Sequence, residues 1–186
     1  MKRHGIFGAC ATAALSLLSI GAVAQQQSPK EQLVGTWTLV SWERTEADGT
    51  TLRQFGVNQN GIAFFDAGGR YIITVMRSDR AKYAIDNFGQ VAQATAEENK
   101  ATAQGTITYF GTYFVSGSDW RAELGAAPPP GLVPVFRITI HVEASSFPNW
   151  NGTDQKWFVA IIEDQLKLTA RPPSGGRVDV LWKRAK

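Results

Sequence analysis

The residues of this chain best placed to do chemistry stand in one row: Arg137, Thr139, His141 and Glu143. They alternate with Phe136, Ile138, Ile140 and Val142, so a strand through this segment puts all four polar side chains on one face. An imidazole two positions from a carboxylate has the makings of a general acid–base pair. A guanidinium farther along the row suits an acidic head group. Two orientations are open. With the apolar parity turned to the core, the row lies in water. With the strand's outer side covered by a helix or a long loop, the row faces an interior and can orient a ligand.

Other chemistries have little to work with. The chain has two histidines and one cysteine. Lys2-Arg3-His4, the small apolar run Ala9–Ile20 and Ala22-Val23-Ala24 read as a secretory signal peptide over residues 1–24, with an apolar run too short to span a membrane. Its removal takes away His4 and Cys10, and His141 is then the sole histidine. No disulfide, thiol catalysis or thiolate metal site is left, and zinc sites normally draw on several such ligands. Ser145-Ser146 lacks a Gly-x-Ser-x-Gly setting, and no spaced Asp/Asn loop marks a calcium site. No metal and no cofactor are therefore expected. Loss of Lys2 and Arg3 reduces the 19 basic residues to 17, against 16 acidic ones. Such a balance lacks the basic footprint of a nucleic-acid binder. The expected location is the periplasm or the outside of the cell.

The elements that position the row are mostly strands. Residues 25–32 form a polar tether, and 33–186 are long enough for one domain with a real core. Strands are expected over 35–43, 50–55, 61–66, 70–76, 106–115, 135–144, 154–162, 165–171 and 177–184. Asp48-Gly49, Ala67-Gly68-Gly69 and Pro172-Pro173-Ser174-Gly175-Gly176 supply turns between them. In the first strand Trp37 and Leu39 share one parity and Val40 and Trp42 the other, which points to a bulge or to burial on both faces. Thr95 and Glu98 fit a capping box for one short helix, ended by Gly105. Its alanine face suits a lid or plug over a barrel end, or a plain surface helix. Gly117–Pro134 reads as a long loop containing Trp120. Eight to ten short antiparallel strands with short joints favour an up-and-down barrel, which also leaves no open edge.

Gly35-Thr36-Trp37 at the start of the first strand resembles the opening signature of lipocalin-type barrels. The resemblance implies an indole plugging the closed end, with an arginine of the last strand, Arg184, packed across it. Leu33–Glu43, Ala94–Glu98, Tyr109–Tyr113, His141–Ser145, Pro148-Asn149, Leu166–Thr169 and Leu181-Trp182 together resemble the bacterial and fungal lipocalin-like domain family. The family implies a calycin-like β-barrel over essentially all of residues 33–184, and no agreed ligand or reaction. Gly35, Trp37 and Arg184 take structural roles in this reading.

Tyr71, Tyr109, Phe110, Tyr113, Phe114, Trp157 and Phe158 make the strands rich in rings, which suits either a filled core or an interior for ring-shaped ligands. The expected function is binding of a small apolar or amphipathic molecule inside the barrel. Tyr71, Tyr109, Tyr113 and Trp157 would provide its walls, and Arg137, His141 and Glu143 its polar contacts. An isomerase, cyclase or hydrolase using His141 with Glu143, or an envelope protein acting through its surface, are the alternatives. Neither the oligomeric state nor the ligand is written in the residues.

Overall fold

The computed structural model describes residues 27–117 and 135–186. The leader 1–24 and most of the Trp120 loop lie outside the described residues. Nine strands follow one another as β1 (Gly35–Thr45), β2 (Thr51–Leu52), β3 (Gln59–Phe65), β4 (Arg70–Arg77), β5 (Thr106–Ser116), β6 (Val135–Ser145), β7 (Asp154–Ile162), β8 (Gln165–Ala170) and β9 (Arg177–Arg184). Among the described residues two α-helices, α1 (Pro29–Leu33) and α2 (Ala96–Gln104), precede β1 and β5. Sequential antiparallel pairing runs from β3 to β9, and β1 pairs with both β3 and β9, which closes an eight-strand barrel. The two residues of β2 attach to the end of β1 and lie outside the ring.

The parity change in β1 is a bulge. Its register on β9 shifts between Leu39 and Ser41, so Trp37, Leu39 and Trp42 all turn inward while Val40 stands in solvent. The extra residue bends the strand, and its N-terminal part pairs with β3 while its C-terminal part leaves β3 for β2. At the split the Gln59 amide takes over the ladder. Its Oε1 accepts from the Trp42 N–H at 2.6 Å, and its Nε2 donates to the Trp42 carbonyl at 3.1 Å.

An up-and-down barrel sends alternate connections to opposite ends, and here the two ends differ. At one end α1 crosses the opening, and Ser28 and Glu31 cap it reciprocally. Below it Trp37 is wholly buried and its indole N–H donates to the Leu33 carbonyl at 2.9 Å. The Arg184 guanidinium lies 4.1 Å from the Trp37 ring centroid and donates to the carbonyls of Val34 and Gln32. One arginine thus ties the last strand, the plug and the helix together. Gly35 is required beside it, because its φ is +136° and a Cβ there would approach Arg184 Nη1 to 2.8 Å. Phe65, Tyr71, Tyr109 and Tyr113 fill the space above the plug in edge and stacked contacts at 5.3–6.2 Å.

Burial raises the ionisation of Tyr71 and Tyr109 well above the ordinary tyrosine value, Tyr71 further helped by the charge of Glu143. The folded state holds both phenols neutral. Their contribution is intact below the unfolded tyrosine pKa of about 10 and falls as pH climbs past it. Alkaline titration followed by phenolate absorbance and by circular dichroism should therefore show late tyrosine ionisation coinciding with unfolding. Ionisation of all tyrosines in a still-folded protein would contradict this.

Candidate functional site at the open end

The opposite end carries the β1–β2 hairpin, the β2–β3 link, α2, the β6–β7 turn and the β8–β9 turn. Between them lies a cavity of about 820 Å³. Trp42, Phe55, Ile107, Trp157 and Val178 line it within the barrel, and Phe147, Pro148 and Trp150 form one side of its mouth. Trp42 is the hub of the aromatic wall, with Phe55 at 5.5 Å and Trp157 at 6.3 Å, both edge-on. Trp150 meets Tyr109 at 5.3 Å and Phe147 at 5.7 Å, so the turn is anchored to the filled half of the barrel. Pro172 and Pro173 stiffen the facing turn, and Arg44 reaches Ser174 at 3.2 Å. Helix α2 contributes Ala103 to the rim and buries no residue of its own. It sits beside the mouth as a surface helix rather than as a plug.

The polar row of β6 lies elsewhere. Phe136, Ile138, Ile140 and Val142 are buried and turn inward, and His141 and Glu143 are exposed on the outer wall. The inward alternative fails because four apolar side chains gain more from the core than the row could, and the outer wall over His141 and Glu143 is open to water. The pairing of these two residues also does not form. His141 Nδ1 is 2.8 Å from Asp154 Oδ1, and Glu143 is clasped by both terminal nitrogens of Arg70 at 2.5 and 2.9 Å. Arg137 is half-buried on the same outer face, its guanidinium 5.9 Å from the Phe158 ring. Phe110 and Phe114 are likewise exposed outside, Phe110 next to Ile72 and Phe64 on the neighbouring strands and Phe114 opposite Thr139 of β6. His141→Ala and Glu143→Ala should each leave ligand binding at the open end unchanged and barely move the denaturation midpoint. A lost ligand in either variant would restore the row as a site.

Of the tyrosines, Tyr71, Tyr109 and Tyr113 face inward but belong to the filled half. The Tyr113 hydroxyl donates to the Asp66 carbonyl at 2.6 Å, near the closed end. Trp157 alone among the expected ligand contacts lines the cavity. Its indole N–H and that of Trp182 are buried without a hydrogen-bond partner among the described residues. Residue-by-residue reading missed Trp42, Phe55, Trp150 and Gln155, each of which looks like a strand end or a turn. A signal was present: with β2 outside the ring, β1, β6 and β8 are the first, fifth and seventh ring strands and end on the same side, so their turns converge there.

Among the described residues no group of His, Asp and Glu is arranged to hold a metal ion. None of the described helices is long and apolar enough to cross a membrane.

The barrel closed by Trp37 and Arg184 matches the model of the lipocalin-like domain over residues 34–185. The chain belongs to the lipocalin-like domain family. No curated protein matches this lipocalin-like chain. Among solved structures it is similar to a redesigned β-barrel at 13% identity and a TM-score of 0.39, over 84% of this chain and 95% of that one. It is also similar to the redesigned barrel mFAP1 bound to DFHBI, at 14% identity and a TM-score of 0.38, over 83% and 97%. A mutant of the fluorescent protein UnaG is similar at 13% identity and a TM-score of 0.34, over 83% and 97%.

Proposed function

We propose that this lipocalin-like barrel is an exported carrier that binds a small apolar or amphipathic molecule at its open end. The observation that carries this reading is the half-filled interior. Rings pack the closed half, while about 820 Å³ remains between Trp42, Trp157 and the turns. A volume of that size is within the usual range for small-molecule pockets, and its aromatic wall suits rings or alkyl chains. Acid–base catalysis has less support, since His141 and Glu143 stand outside with separate partners. Val178, half-buried on the cavity wall, offers a clean test. Val178→Trp should fold normally and bind a neutral fluorescent probe such as N-phenyl-naphthylamine at least about tenfold more weakly. Equal binding by the two proteins would remove the cavity from consideration.

Export rests on residues 1–24, whose basic, apolar and Ala-x-Ala segments follow in the order a signal peptide needs. The exported protein should begin at Gln25 on N-terminal sequencing. A mature form still carrying Met1–Ala24 would refute cleavage.

A further inference from the structure

The polar groups of the open-end cavity select a ligand class, on the reading that the cavity is a binding site. Among the described residues, no charge of its lining both turns inward and stands unpaired. Lys156 pairs with Thr139 and shares its outward parity, so its ammonium belongs to the outer wall. Asp154 pairs with His141 on the same wall, its carboxylate 2.8 Å from His141 Nδ1. Arg44 shares the inward parity of Trp42, but both carboxylate oxygens of Glu46 hold it, at 2.6 and 3.3 Å. Arg171 has a partner of its own. The hydroxyls of the lining already make hydrogen bonds. Thr153 Oγ1 donates to the Trp150 carbonyl, Ser146 Oγ accepts from the Thr108 N–H, and Thr106 Oγ1 accepts from Arg80.

What remains for a guest is an amide. Gln155 pairs with Ile140, so it shares the inward parity of the core, and it is half-buried against the cavity. Its side-chain amide makes no hydrogen bond among the described residues. Gln54 is exposed at the rim, where water serves its amide. Trp157, the next inward residue of β7, has an indole N–H that no described residue accepts. A primary amide holds N–H donors and a carbonyl acceptor in one plane. Its best partner is an edge with one acceptor and one donor side by side, as when glutamine pairs with adenine. An ion gains less there. A carboxylate meets donors without a cation, an ammonium meets an acceptor without an anion, and either gives up hydration on entering.

We infer that the open-end cavity takes an uncharged, ring-bearing guest with a carboxamide-like edge, its ring against Trp42 and Trp157 and its edge on Gln155. Removal of the ring from water supplies the affinity. The paired hydrogen bonds replace those that both amides lose to water, and they distinguish this guest from a bare hydrocarbon, which would leave the Gln155 amide unpaired. Gln155 thereby sets the specificity of the cavity.

The test is competition against bound N-phenyl-naphthylamine, with four competitors sharing one ring system: naphthamide, methylnaphthalene, naphthoate and naphthylmethylammonium. Naphthamide should displace the probe about tenfold more tightly than each of the others. Gln155→Leu should remove that advantage and leave methylnaphthalene unchanged. Gln155→Glu keeps the shape, exchanges the donor for a charge, and should move the preference to the ammonium. The ranking on the wild type tests the assignment even if neither variant folds. If methylnaphthalene or either ion competes as well as naphthamide, or if Gln155→Leu keeps the preference, the amide assignment is wrong while the cavity stands. If the probe binds the wild type and Val178→Trp alike, the cavity reading itself fails, and the ligand class with it.

Discussion

Gly111→Ala is expected to leave no folded barrel under native conditions. Gly111 faces inward on β5 opposite Val142, where the β5–β6 register shifts between Phe110 and Gly111. The strands approach so closely at this bulge that a Cβ would fall on the His141 carbonyl oxygen, with Glu143 N at 2.9 Å. Those atoms are main chain. β6 is laddered to β5 on one side and β7 on the other, so it cannot retreat without breaking register with a neighbour. A clash of this kind belongs with the few substitutions that cost more than about 4 kcal/mol, against a total stability of about 5–15 kcal/mol. Circular dichroism and urea denaturation should find the variant unfolded or insoluble. Gly117 is the control, since a Cβ there meets nothing within 4 Å. Gly117→Ala should match the wild type, and a Gly111→Ala protein with an unchanged midpoint would overturn the assignment.

Trp37→Ala should lower stability by about 3–5 kcal/mol. The indole is wholly buried, and its loss opens a large void beneath α1. Two further contacts go with it: the N–H donated to Leu33 and the face that receives Arg184. The damage should spread to α1 and β9, because Arg184 ties both to the Trp37 ring. Hydrogen exchange should show residues 29–38 and 182–185 losing protection ahead of β4–β7. Arg184→Gln keeps the ring and should cost less than Trp37→Ala, since a cation–π pair is worth about 1–2 kcal/mol. Loss confined to Trp37, with both ends still protected, would show that the plug does not couple them.

The alternation of side chains made the strands readable. β7, β9 and α2 run over the residues their patterns predict, and the parity change in β1 marked its bulge. Gly35, Trp37 and Arg184 were readable for another reason: their positions resemble the opening and closing of lipocalin-type barrels, and the arginine does lie over the ring. The partners of His141 and Glu143 were not. Asp154 lies 13 residues onward and Arg70 lies 73 back, and each meets its partner only through the register of intervening strands. A period of two says which side chains share a face, and says nothing of what stands opposite them. Gln155 and Trp42 were hidden in the same way, since cavity walls are made by the convergence of turns rather than by any local pattern.

The seam between β1 and β9 bears on how the chain acquires its shape. Every other pair of ring strands is either a hairpin or joined by one local connection, whereas Arg184 meets Val34 across 150 residues. Closing so long a loop is entropically costly and comes late, which places the barrel among proteins that fold on the order of milliseconds to seconds. A nascent chain released before residue 177 would have no β9. It would present the unpaired edges of β1 and β8 to its neighbours, two templates for strand addition. Truncated chains should therefore aggregate rather than persist as smaller barrels, and solubility in the cell should depend on the last eight-residue strand as much as on the core.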